Sequence, residues 1–287
     1  MSFEVNRRLV AKRSPLETDA VVDSVTAGII RGAFETFCFE TAIHLGRSAS
    51  SAIINQSNER NASIIDAHGR LAGISVGIPQ LLFISPLAVR WGLEHFEEDD
   101  WGPGDVFVGN DPDHGGGHLP DYTVYSPCFD ADEKLVAIQA IQAHQGDTGG
   151  KDPGGFSVDS IDIFHEGMPI PVVKLVHRGQ KRRDIIAMIT RNNRLPSFPG
   201  DLAAMISAAQ LGARLLDEGQ PEEQRHVAID HRGETSVPGF FVVGDAARRA
   251  DEPMMMQIYT AQEYAVRAVD SIDSRRRKRM RSQVLGG

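Results

Sequence analysis

Two apolar, β-rich runs, Tyr122 to Phe129 and Leu135 to His144, flank the polar segment Asp130-Ala131-Asp132-Glu133-Lys134, and this arrangement restricts the fold more tightly than anything else in the chain. Runs of that composition around a turn sequence predict a β-hairpin. With the turn centred between Asp132 and Glu133, antiparallel pairing sets Asp121 opposite His144, and directly opposed residues share one face of the sheet. A slip of one residue would send His144 to the other face, so the inference depends on register.

Other elements build around this hairpin. Val21, Val22, Val25, Ile29, Ile30, Ala33 and Phe37 recur at helical spacing and predict an amphipathic helix over 20–37 that packs on a sheet. Ser51 to Asn55 reads as a strand. Ser63 to Asp66, the turn Ala67-His68-Gly69-Arg70 and Leu71 to Val76 read as a second hairpin. A helix is predicted over Pro86 to Phe96, and Gly102-Pro103-Gly104-Asp105 breaks the chain before a strand at Val106 to Val108. Val172 to Val176 reads as a strand, and helical periodicity returns in Ile185 to Ile189 and Leu202 to Leu216. Gly219-Gln220-Pro221 marks a boundary, beyond which Val227 to Ile229 and Phe240 to Val243 read as strands and Ala261 to Ile272 as a helix. The expected fold class is α+β: a mixed sheet with β-hairpins and covering helices over residues 1–219, then a short strand-strand-helix fragment over 220–287.

An apolar fraction of 41% with 24% charged residues excludes disordered, collagenous and coiled-coil classes. The net charge of -9 argues against nucleic acid as a partner. The basic run from Arg275 to Arg281 reads as a solvated helix end. No apolar run approaches the roughly 18 residues of a membrane span, and the N-terminus MSFEVNRRLVAKR lacks an apolar signal core, so a cytoplasmic protein is expected. Cys38 and Cys128 stand far apart with no CxxC, which leaves no disulfide framework and no thiolate zinc site, and Cys128 reads as a buried inert thiol.

The chemistry concentrates between Gly109 and Gly155. The glycine-rich loop GNDPDHGGGHLPD leads into the hairpin, and His118 lies three residues before Asp121, where the loop can curl back to the same hairpin end as His144. Two imidazoles and a carboxylate suit zinc, manganese or iron. His118, Asp121 and His144 are the candidate ligands, Asp111 is a fourth, and Asp147 supports them or replaces one. Such a site polarises a carbonyl or acidifies a water. The same residues can instead cap strands and bond backbone, and spacing alone does not choose between the two. His114 is a candidate substrate contact, and Glu166 a candidate general acid or base. His44, His68, His95, His177, His226 and His231 lack an acidic partner motif and read as structural or solvated.

The phrases IIDAHGRLAG (64–73), GPGDVFVGNDPDHGGGHLPDYTV (102–124), AHQGDTGG (143–150), FHEGMPIPVVKL (164–175) and GDLAAMISAAQLGARLL (200–216) resemble the hydantoinase B/oxoprolinase family, which includes N-methylhydantoinase B and the large subunits of acetone and acetophenone carboxylases. The resemblance runs from about 20 to 217. It implies a metal-containing active site built from Asp111, His118, Asp121, His144 and Asp147, with Gln145 where many members carry a second histidine. It also implies a hetero-oligomer with a hydantoinase A-type, ATP-using subunit. The reaction would be opening of a cyclic amide or carboxylation of a ketone.

Residues 226–272 instead resemble the C-terminal end of a thioredoxin-reductase-like flavoprotein, through VAIDHRGETSVPGFFVVGDAA and the helix after it. That resemblance gives Gly244 and Asp245 a flavin-contacting role. The chain lacks the GxGxxG and CxxC that such proteins use, so the expected role of the tail is packing or interaction, without bound FAD. Two alternatives to an active metal-dependent subunit are a catalytically incomplete fusion serving as a binding or assembly module and a flavin-linked oxidoreductase acting through the tail.

Overall fold

The computed structural model describes residues 22–75, 77–130, 132–155 and 157–218, together with 227–228 and 247–248. Tyr122 to Phe129 and Leu135 to His144 do form the central hairpin. Strands β4 (Asp121–Phe129) and β5 (Leu135–His144) pair with Asp121 opposite His144 and hold that register to Cys128 opposite Ala137, where one irregularity precedes the turn. The register predicted from the turn is the observed one.

Around this pair lie β1 (Arg60–Asp66), β2 (Leu71–Ile74), β3 (Val106–Gly109), β6 (Val173–His177) and β7 (Gln180–Lys181). The seven strands run in the order β2-β1-β5-β4-β3-β6-β7, and each pairing is antiparallel. The predicted hairpin over 63–76 is β1 and β2, closed by Gly69 at φ +77.

Helices cover both faces and make the core two-sided. On one side α1 (Ser24–Ser48), α2 (Ala52–Asn55) and α5 (Phe198–Glu218) pack on Ala62, Ile64, Tyr122, Val124, Ile141 and Ala143. On the other, α3 (Pro79–His95) sets Val89 and Leu93 against Ile65, Tyr125, Ile138 and Ala140. A further helix, α4 (Arg183–Arg191), follows β7. Val227–Ala228 and Ala247–Arg248 pair in parallel as β8 and β9, within a second unit that begins at Pro221.

Three expectations change. The first helix starts at an Asp23 cap, whose Oδ1 accepts the N–H groups of Val25 and Thr26 at 2.9 and 3.0 Å, and runs on to Ser48. Its core contact starts at Phe34 and Phe37 and continues through Cys38, Ala42 and Leu45, while Val25, Ile29 and Ile30 are exposed, so of the predicted apolar face only the Phe37 end packs inward. Residues 52–55 are helical where a strand was expected. A short apolar run fits either element, and here the N–H groups of Ser50 and Ser51 are fixed by Asp201 Oδ1 at 2.7 and 2.9 Å. The third helix begins at Pro79 and keeps Pro86 in its interior, although proline favours a helix start. The expected strand at 240–243, the helix at 261–272 and the basic run at 275–281 lie outside the described residues.

Helix α3 can cross the sheet closely because position 92 is glycine. A Cβ there would overlap the Tyr125 hydroxyl and come within 3.1 Å of its Cζ. Gly92→Ala is expected to destabilise the protein by about 1–3 kcal/mol through overpacking. Adding Tyr125→Phe should recover part of that loss, as read by denaturant unfolding of both single variants and the double.

Candidate metal centre

The glycine-rich loop is shaped by its backbone before any functional side chain is considered. Asn110 is fully buried and staples the loop: its Nδ2 donates to Leu119 C=O (2.8 Å) and Met168 C=O (3.2 Å), and its Oδ1 accepts Ile170 N–H (2.6 Å). Gly115 sits at φ +83 with the Leu87 carbonyl against it, a place no side chain could occupy. At the loop's end the Asp121 N–H donates to His118 C=O at 2.9 Å, closing a turn across Leu119-Pro120. That turn folds His118 back over the start of β4.

The hairpin register supplies the rest. Asp121 is 1% exposed, and each of its carboxylate oxygens faces a different imidazole. Oδ2 lies 3.0 Å from His118 Nδ1, and Oδ1 lies 3.1 Å from His144 Nδ1. The two rings stand 5.0 Å apart between centroids. One ligand-type atom from each of the three residues falls within 4.8 Å of the others. His144 is mostly covered, while a third of His118 reaches solvent.

Charge follows from this packing. The hydrogen bond to Asp121 raises the His118 pKa above its usual 6.5, burial opposes that, and the charges of Asp121 and Glu166 add to the rise. Burial alone would push the Asp121 carboxyl up, but its bonds to His118 and His144 outweigh that and hold it below the ordinary 3.8. The cluster is therefore a deprotonated carboxylate between two imidazoles, one of which holds its proton tightly.

Three of the five candidate ligands are thus brought together. Asp111 is engaged elsewhere: its Oδ1 caps the short 3-10 turn at Pro112–His114 by accepting Asp113 N–H (3.0 Å), and its Oδ2 meets His114 Nδ1 at 2.7 Å. His114 in turn sets its ring edge-on to Trp91, with centroids 4.7 Å apart. Asp147 also lies outside the cluster. Its carboxylate takes Arg194 Nη1 (2.7 Å), Arg194 N–H (2.8 Å) and Gly154 N–H (3.3 Å), while Arg194 also reaches the Gly150 carbonyl. This lashes the loop after β5 to residues 193–194. Glu166 acts on His118 through its charge, and its own backbone carbonyl accepts the Thr148 hydroxyl at 3.0 Å. Gln145 turns toward the other face, bonding Ala143 C=O and Met205 Sδ. Gly244 and Asp245 lie outside the described residues, as do His226 and His231. Both cysteines are buried, and burial pushes the Cys38 thiol up to about 12.

The sequence reading missed Glu59. Its carboxylate lies 4.0 Å from His144 Nδ1, and its carbonyl accepts the His144 N–H at 3.0 Å. It arrives through a pairing of distant segments: β1 pairs β5 with Arg60 opposite Ala143, so the preceding residue falls opposite His144.

Because Asp121 is the first cause of the His118 shift, Asp121→Asn is expected to return His118 toward 6.5 in an NMR pH titration of the metal-free protein. The sign for stability follows. A raised histidine pKa stabilises most below the unfolded value and less as pH climbs through the folded one, so the wild-type margin over Asp121→Asn from this pair should shrink as the solution turns alkaline.

A family model described as Hydantoinase B/oxoprolinase matches residues 23–226. The beta subunit of caprolactamase from Pseudomonas jessenii is 33% identical over 198 residues, covering 69% of this chain and 34% of that subunit. The crystal structure of the ATP-dependent caprolactamase from Pseudomonas jessenii superposes with a TM-score of 0.63 at 32% identity, over 69% of this chain and 34% of that one. A nucleotide-free acetone carboxylase structure gives a TM-score of 0.63 at 20% identity, over 67% of this chain and 25% of that one, a likeness of fold. The chain spans about a third of the length of the caprolactamase and hydantoinase subunits it matches.

Proposed function

The chain belongs to the hydantoinase B/oxoprolinase family, and from that premise we propose that it is the metal-dependent part of an ATP-dependent enzyme that opens small cyclic amides. The observation that carries this reading is the buried carboxylate of Asp121 with a ring nitrogen of His118 and of His144 at 3.0 and 3.1 Å. Two imidazoles and one carboxylate, with donor atoms within 4.8 Å of one another, are a donor set for a first-row divalent cation such as manganese, zinc or iron. His118, Asp121 and His144 would hold the ion, and Glu59 stands close enough to add a fourth donor, a carboxylate oxygen. A divalent ion bound there supplies Lewis-acid polarisation of a carbonyl and lowers the pKa of water.

The protein's own groups do the rest. Asp121 fixes both imidazoles from one carboxylate, so their orientation is set before any ion arrives. Glu166 lies near enough for its charge to reach His118, and can exchange a proton with a substrate nitrogen or a water on that open side. Asp111, His114 and Asp147 hold the loops in place. The caprolactamase relative is described as ATP-dependent, and that supports a partnership with a separate ATP-using subunit of the hydantoinase A type in a hetero-oligomer. Ketone carboxylation is the second reading, favoured by the fold shared with acetone carboxylase. Among the described residues no helix is long and apolar enough to cross a membrane. A cytoplasmic location and a packing role for the tail complete the reading.

Elemental analysis after manganese or zinc loading should find about one ion per chain. His118→Ala, Asp121→Ala and His144→Ala are each expected to lose it, and Glu59→Gln to weaken it by about 10–100-fold without abolishing it. Uptake should fall as pH drops through the raised His118 value, since the proton and the metal compete for the same nitrogen. Full metal content in all three alanine variants would overturn the ligand assignment.

A further inference from the structure

The sheet face that carries the centre also carries buried polar atoms whose partners are missing among the described residues. Register orders them. Asp121 and His144 form one row with Glu59 beside them; Thr123, Gln142 and Asn61 form the next; Tyr125, Ala140 and Ser63 form the one after. Alternate residues of a strand share a face, so the three rows lie on the α3 side, about 7 Å apart along the strands. Asn61, Ser63, Thr123, Tyr125 and Gln142 are at most 1% exposed. Asn61 Oδ1, Gln142 Oε1, Ser63 Oγ and the Tyr125 hydroxyl have no hydrogen-bond partner among the described residues.

In the row next to the centre the unpartnered atoms are two side-chain amide oxygens. Asn61 Nδ2 donates to the Ser75 carbonyl at 3.4 Å, and a carbonyl only accepts, so the atom left over is the amide oxygen. Gln142 Nε2 donates to the Thr123 hydroxyl at 3.0 Å, and its Oε1 is the atom without a partner among the described residues. Buried polar atoms are almost always partnered, and Val89 and Leu93 of α3, which pack with Ile65, Tyr125, Ile138 and Ala140, are apolar and offer the two oxygens no donor. Two acceptors one row from a metal-type centre ask for a ligand that brings N–H groups. Tyr125 meets α3 directly at Gly92, which bounds the set on the far side.

We infer that Asn61 and Gln142 are the specificity-determining pair of this centre, accepting N–H groups of a small cyclic amide whose carbonyl lies at the His118, Asp121 and His144 row. The inference deepens the function proposed above and rests on it. A lactam, hydantoin or oxoproline ring carries an N–H beside its carbonyl, whereas a simple ketone carries none. The pair therefore selects amides over ketones, because a ligand without N–H leaves both oxygens buried and unpaired.

The test is calorimetric titration of the full chain, with and without manganese, using a small lactam, its N-methyl analogue and acetone as probes. The lactam should bind about tenfold or more tighter than the N-methyl analogue, and acetone should not compete. The paired substitution Thr123→Val with Gln142→Met, and separately Asn61→Leu, should erase that preference while leaving manganese content at the wild-type level. The paired variant removes both ends of one bond together with the leftover oxygen, so its melting temperature should equal or exceed that of the wild type. No lactam binding, or equal binding of lactam and N-methyl lactam by the wild type, overturns the inference. So does a paired variant that melts lower yet keeps the N–H preference, since that assigns the row to structural hydration. An N–H preference that persists in a chain unable to take up manganese upholds the pair and overturns the metal reading alone.

Discussion

A single buried carboxylate, Asp121, holds two imidazoles, and the surrounding loops are organised to make that possible. Taking a carboxylate out of water is costly unless charged or polar partners compensate it. Here each oxygen has its own imidazole, at 3.0 and 3.1 Å, and the net effect keeps the carboxyl ionised despite its burial. The partners come from different places in the fold: His144 from the end of β5, His118 from a turn that closes onto the first residue of β4. Asn110 pins the glycine loop on one side, and the Asp147–Arg194 pair pins the loop after β5 on the other.

This division of labour explains why the acidic residues of the motifs do not all converge. Asp111 and Asp147 occupy the same short phrases as the ligand-type residues, yet their oxygens are spent on a backbone cap, a neighbouring histidine and an arginine. They act by fixing the geometry of the loops that carry His118 and His144. The elements around the cluster run from β1 through the loop that follows β5, in a chain that covers about a third of its subunit-type relatives.

The hairpin register was legible because one polar turn separates two long apolar runs, and counting outward from it leaves few choices. The Asp121–His144 pairing and the approach of His118 followed from that count. What the sequence hid had physical causes. Residues 52–55 are too few for periodicity to separate helix from strand, and a carboxylate from distant Asp201 decides the matter. The apolar positions early in α1 repeat as a core face would, yet Val25, Ile29 and Ile30 are exposed and the helix meets the core from Phe34 onward, through Phe34, Phe37, Cys38, Ala42 and Leu45. Glu59 was invisible to local motifs because it joins the cluster through the β1–β5 pairing, a contact between distant segments.

The central claim is that His118, Asp121 and His144 bind one divalent ion from a single hairpin end. The most direct measurement is pulsed electron paramagnetic resonance of the manganese-loaded chain labelled with nitrogen-15 at histidine. The account predicts coupling to two histidine nitrogens in the wild type, and in His118→Ala the loss of the bound-manganese spectrum together with both couplings. A spectrum with no histidine coupling, or one unchanged by that substitution, would contradict it.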